Sequence, residues 1–242
     1  MVTYSWAGAT DSGKSRDRNE DAVLPNDVGL GPGPVVVAVA DGLGGHPGGD
    51  IASRLAVSAV STGGSGEPRA AGLVDAAHLR IRRHIAAAID EDPELQAMAT
   101  TLTLAVLGTG GSVEIGHVGD SRAYLGDRTR FTQVTEDHTV AMERVRAGAI
   151  SIEDAPNDPG WHTISNWLGL EACRTETHNL EMLPGERLLL CSDGLFNMVP
   201  DDTIGSLLFS GTPDVSAHGL IAAANEAGGA DNISVVVVEV TE

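Results

Sequence analysis

Five short runs of aliphatic residues, rich in β-branched side chains, set the frame of this chain. They are residues 34–40 (PVVVAVA), 101–107 (TLTLAVL), 112–118 (SVEIGHV), 187–191 (RLLLC) and 233–240 (ISVVVVEV). Each has strand length, and most are bounded by Gly, Pro or Asp. Residues 122–125, followed by Gly126-Asp127, read as a hairpin partner of 112–118. Helical patterns fill the intervals. Residues 50–60 begin after a Gly pair, with Asp50 as N-cap. Residues 68–90 carry Leu73, Ala77, Ile81 and Ile85 at helical spacing. Shorter helices are predicted over 140–147, ending at Gly148, and over 203–209 and 215–226. Adjacent strands alternating with long helices imply sheet layers covered by helices, not a strict βαβ repeat. There is no internal repeat, and the Gly-rich turn at 63–66 is too short to divide domains. Residues 1–242 are therefore expected to form one domain.

The net charge of −19 argues against nucleic acid and against anionic membrane surfaces, which both need Lys/Arg patches. Much of that acid serves solubility. Aromatics make up only 3%, so Ala, Val, Leu and Ile must fill the core. Cys173 and Cys191 stand far apart, without a C-x-x-C pair, which fits a reducing compartment. No apolar run reaches the roughly 18–20 residues of a membrane span. The first ten residues lack the basic and apolar regions of a signal peptide. A cytoplasmic protein, or the catalytic part of something larger, follows as an expectation, and a monomer, because no heptads or exposed apolar stripe are evident.

The chemistry lies in where the acids fall. Asp41 ends the 34–40 run, Asp120 follows 112–118, Asp193 follows 187–191, and Asp231 sits in a turn just before 233–240. Glu20 and Asp21 precede the first long run. Taken singly, an Asp at a strand end is a turn residue or helix cap. Taken together, such carboxylates at one sheet edge would repel each other without a cation. All-oxygen ligation selects hard ions, Mg²⁺ or Mn²⁺ above Zn²⁺. Two such ions about 3.5–4 Å apart can activate a water and clamp a transferring phosphoryl group.

Seven segments, in order, resemble the PP2C-type metal-dependent protein phosphatases. They are residues 12–22 (SGKSRDRNEDA), 39–46 (VADGLGGH), 100–103 (TTLT), 117–124 (HVGDSRAY), 135–139 (TEDHT), 188–195 (LLLCSDGL) and 228–234 (GGADNIS). The resemblance implies an α+β fold, a four-layer αββα sandwich with two central antiparallel sheets flanked by helices. It implies hydrolysis of phosphoserine and phosphothreonine in proteins by a water that two ions activate. By position, Asp21, Asp41, the Gly42 carbonyl, Asp193 and Asp231 would hold two core Mn²⁺ or Mg²⁺ ions. Glu20 would act through coordinated water. Asp120, with Asp193, would match a third metal site seen in bacterial members. Arg16 would bind the substrate phosphate through its fork of donors. The implied partners are phosphorylated proteins, a Ser/Thr kinase among them.

Some positions depart from the pattern. Leu43 stands where some members carry a His after Asp-Gly, so that acid has no counterpart, and His46 reads as structural. Ala99 replaces a Gly before the Thr pair. Residues 145–168 correspond to a flap, where Trp161 and Trp167 are expected to pack rather than to meet substrate. Residues 8–15 (GATDSGKS) match the P-loop formula literally, but the preceding segment is weak as a central strand and the following one, with Pro25, is a poor helix. A catalytically silent relative would be expected to lack metal carboxylates, and none is missing. No D-x-[DN]-x-[DN]-G loop supports a calcium-binding structural domain.

Overall fold

The computed structural model describes residues 2–44, 48–62 and 68–241. His46 and the 63–66 turn lie outside the described residues. Eleven strands are described: β1 Thr3–Asp11, β2 Asp21–Leu24, β3 Val28–Pro32, β4 Val35–Asp41, β5 Leu102–Leu107, β6 Ser112–Val118, β7 Arg122–Gly126, β8 Phe131–Gln133, β9 Glu176–Glu181, β10 Arg187–Cys191 and β11 Ile233–Thr241. Six helices accompany them: α1 Gly49–Ser61, α2 Ala70–Ala88, α3 Val140–Arg146, α4 Asp193–Phe196, α5 Asp201–Leu208 and α6 Pro213–Glu226. One sheet runs β3-β1-β11-β10-β7-β8 and the other β2-β4-β5-β6-β9, with every named pair antiparallel.

The long apolar runs are strands buried on both faces, which is why they do not alternate. In β11, Val236, Val238 and Val240 enter the core between the sheets, while Ile233, Val235 and Val237 pack under α5 and α6. In β5, Ala105 and Leu107 face the sheet interface, and Leu102, Leu104 and Val106 face α1 and α2. Helix, sheet, sheet and helix thus form four layers, as the resemblance implied.

Several local expectations are corrected. β7 does not pair with β6. It joins the other sheet, between β10 and β8, because the Gly119–Ser121 turn crosses from one sheet to the other. The Gly126-Asp127 turn makes its hairpin with β8 instead, where Asp127 Oδ1 accepts from the Thr129 and Arg130 N–H groups. Asp50 is not the cap of α1. Gly48, at φ +86°, holds that position, and Asp50 lies in the first turn accepting from Arg54. α2 is shorter than 68–90, and α6 starts earlier than 215, where Thr212 caps Pro213 and accepts from Val215 N–H. The segment judged weak as a central strand is the nine-residue β1, paired along its whole length with β11. The P-loop match falls on the end of β1 and the turn after it. Strand β2 follows, not a helix, which removes that reading.

Candidate active site

The two sheets bring their acidic ends to one side of the sandwich. Asp21, first residue of β2, is the register partner of Asp41, last residue of β4. Asp120 stands in the turn that crosses from β6 to β7. Asp193 opens α4 directly after β10, and Asp231 lies in the turn before β11. An open pocket of about 870 Å³ has Arg16, Glu20, Asp41, Gly42, Asp120, Asp193 and Asp231 in its lining. Asp21 lies just behind its floor, 9% exposed. The fold therefore collects all eight residues singled out from the sequence.

Buried polar groups fix the floor. Ser192 Oγ donates to Asp21 Oδ2 at 2.8 Å and accepts from Ser234 N–H. The Asp41 N–H donates to Thr101 Oγ1, while Thr100 Oγ1 donates to the Asp41 carbonyl. Asn232 holds the 12–20 loop: its Oδ1 accepts from Glu20 N–H, and its Nδ2 donates to the carbonyls of Ser12 and Arg18. Gly42 must be glycine, since a Cβ there would lie 2.4 Å from the Gly49 backbone. Ser192, Asn232 and Thr101 have no assigned role in the sequence, although all three lie inside resembling segments and Ser192 and Asn232 adjoin the assigned Asp193 and Asp231.

The electrostatics are those of acids forced together. Burial first, then the Asp193 charge, raises Asp21 to about 6, against hydrogen bonds that pull it down. Asp193 is likewise raised to about 6 by burial and by Asp231. Asp41 is pushed well above the usual carboxylate range by burial and by Asp21, Asp193, Asp120 and Asp231. Asp120 is pushed the same way by burial, Asp193 and Asp137. Burial and Asp50 raise Glu20, with Arg16 opposing. At the rim, Arg16 Nη2 donates to Asp231 Oδ2 at 2.7 Å, with 44% of the Arg side chain exposed.

No three of the described His, Cys, Asp and Glu side chains close into a ready-made cage for one ion. The fit to cations rests on other features. Asp21 Oδ1 is buried without a hydrogen-bond partner. The neighbouring carboxylates raise one another, and the carboxylates gathered there offer oxygen, suited to Mg²⁺ or Mn²⁺.

The flap region divides. Trp161 packs beside the buried Arg122, 5.9 Å from ring centroid to guanidinium carbon. Trp167, Ile164 and the exposed His162 line the pocket wall. Trp167 thus departs from the packing-only expectation. His162 carried no motif signal at all.

An αββα sandwich with a carboxylate floor and an arginine at its rim defines a class, and the comparisons agree with it. Residues 12–216 match the family model of protein phosphatase 2C, and the chain belongs to that family. It is 39% identical over 244 residues to the serine/threonine protein phosphatase PstP of Mycobacterium tuberculosis, covering 100% of this chain and 46% of that protein. It is 37% identical over 243 residues to the serine/threonine phosphatase stp of Listeria monocytogenes, covering 95% of this chain and 93% of that one. The chain thus spans about half the length of PstP but nearly all of stp. Among solved structures, M. tuberculosis PstP/Ppp superposes with a TM-score of 0.85 at 36% identity over 98% of each chain. The PstP catalytic domain in complex with two manganese ions superposes with a TM-score of 0.84 at 35% identity over 100% of each chain.

Proposed function

We propose that this chain is a metal-dependent serine/threonine phosphoprotein phosphatase, one catalytic domain over residues 1–242. The observation that carries this reading is the gathering of Asp41, Asp120, Asp193 and Asp231 in one pocket with Arg16, backed by Asp21, the register partner of Asp41. Asp21, Asp41, Asp193, Asp231 and the Gly42 carbonyl would hold two Mn²⁺ or Mg²⁺ ions. Glu20 would reach them through water, and Asp120 with Asp193 would serve a third. Bound there, the ions offset the carboxylate charge, draw in a phosphate that a chain of net charge −19 would otherwise repel, and activate water. The relative solved with two manganese ions supports the count.

The protein's own work is positioning, which dominates phosphoryl transfer. Arg16 sits at the rim with a half-exposed side chain, and can turn its planar donors from Asp231 to the phosphate oxygens. Asn232 holds the loop that carries Arg16 and Glu20. Ser192 and Thr101 fix Asp21 and the Asp41 backbone, so the carboxylates meet the ions without reorganising. The substrates are phosphorylated proteins, a Ser/Thr kinase among them, encountered by a monomer in the cytoplasm. No described helix is long and apolar enough to cross a membrane.

The test is hydrolysis of a phosphothreonine peptide and of a small aryl phosphate, with Mn²⁺, with EDTA, and in Asp193→Asn. Activity on both substrates, lost with EDTA and in the variant, is expected. No hydrolysis by folded, Mn²⁺-loaded protein would point instead to a phosphatase-like binding domain.

A further inference from the structure

His138 is buried, 1% exposed, and touches none of the pocket. It grips the residue before Asp120 from both sides. Its backbone N–H donates to the Gly119 carbonyl at 2.8 Å. Its ring Nδ1 accepts from the Gly119 N–H at 3.0 Å. A backbone N–H can only donate, so Nδ1 carries no proton, and the ring proton sits on Nε2. Nε2 lies 3.3 Å from Glu176 Oε2, which holds the ring in that tautomer. Gly119 needs holding. Its φ is +111°, and a Cβ there would lie 2.6 Å from the Thr101 side chain.

The same histidine also holds the pocket wall. Asn166 Nδ2 lies 3.0 Å from His138 Nδ1 and donates to the Arg174 carbonyl at 2.7 Å. Asn166 Oδ1 accepts from Arg174 N–H. Ser165 N–H donates to the His138 carbonyl at 2.8 Å, and Thr139 bridges to Ile164. Ile164 and Trp167, on either side of Asn166, line the pocket.

We propose that His138 is a positioning residue that clamps the Gly119–Asp120 turn to the 163–167 segment, so that the Asp120 carboxylate and the pocket wall move as one piece. An ion drawn to Asp120 then orders the wall, and a substrate pressing on the wall steadies Asp120. This inference rests on the reading of Asp120 as a metal ligand.

The variants separate the two grips. In His138→Asn, Oδ1 takes the place of Nδ1 and can still accept from Gly119. His138→Phe keeps a ring but loses the acceptor. Asn166→Leu removes the ring's side-chain tie to the wall and leaves the Ser165–His138 backbone bond and the Thr139–Ile164 bridge in place. Mn²⁺ binding is read by calorimetry, and amide exchange over residues 160–170 is followed across the titration. Asp120→Asn is expected to remove the weakest ion. His138→Phe should weaken that ion by about tenfold or more, the scale for groups that orient ligands, and leave the tighter ions within about threefold. His138→Asn should restore it to within about threefold of the parent, as the same acceptor is regained. In the parent, protection of 160–170 should rise as the weakest ion binds. In Asn166→Leu the ion should bind with a clearly smaller rise.

The clamp is overturned if His138→Phe binds every ion as the parent does, if His138→Asn is as impaired as His138→Phe, or if Asn166→Leu keeps the full rise in protection. Should His138→Phe not fold, the Asn166→Leu exchange and the His138→Asn binding decide. If Asp120→Asn binds all ions unchanged, the metal reading of Asp120 falls and the clamp with it. Hydrolysis dependent on the two core ions would then still stand.

Discussion

Arg16 and Asp231 hold each other at 2.7 Å, although the sequence casts one as a phosphate binder and the other as a metal ligand. The two roles are compatible if the guanidinium swings. Arg16→Ala should then raise KM for a phosphopeptide about ten- to a hundredfold, the scale of a charge-assisted hydrogen bond. It should not weaken Mn²⁺ binding, since Asp231 loses a competitor; steady-state kinetics beside calorimetry separate the two effects. Arg122 and Asp137 show the opposite limit of legibility. Both belong to recognisable motifs, yet nothing in their spacing says that they form a buried, multiply hydrogen-bonded pair, with Arg122 stacked 3.7 Å from Phe196. Arg122→Met leaves Asp137 buried without its partner. Urea unfolding should show a loss of about 3–5 kcal/mol.

β6 and β10 stand where their apolar runs begin and end, at Ser112–Val118 and Arg187–Cys191. Most of their side chains are apolar and buried, so composition marks them. β2, β3, β8 and β9 have no strand in the sequence reading. β9 reads ETHNLE, alternates between half-buried and exposed, and lies at a sheet edge, where propensity is a weak guide. The hairpin expected between β6 and β7 failed for a related reason. A short turn after a strand signals reversal, not which sheet receives the next strand, and that choice depends on contacts with β10 far along the chain. The same crossing carries Asp120 to the floor, so the site was legible as a set of acids and not as a geometry. Leu190 lies between the sheets, fully buried, on the strand that leads to Asp193. Leu190→Ala should cost about 2–5 kcal/mol in urea unfolding, as cavity-forming core changes do.

Across the whole molecule, charge sets the pH response. Asp21 and Asp193 titrate near 6 in the fold against an ordinary 3.8, so the folded form keeps protons that the unfolded chain has released. Their contribution in metal-free protein is full below about 3.8 and lost as pH rises through 6. His117 works the other way. Burial, then His138, lowers it to about 3, so its contribution is full above 6.5 and lost as pH falls toward 3. That histidine faces no ion, and its effect cancels between samples with and without metal. The gap in Tm between Mn²⁺ and EDTA should therefore be wider at pH 7.5 than at pH 5. Equal gaps would mean that the carboxylates are not where the metal acts.

A crystal grown with Mn²⁺ and measured at the manganese absorption edge puts the central claim to its most direct trial. Two strong anomalous peaks are predicted among Asp21, Asp41, Asp193, Asp231 and the Gly42 carbonyl, with Arg16 turned away from Asp231. An Mn²⁺-soaked crystal with no peak among those residues, and Arg16 still on Asp231, would contradict it.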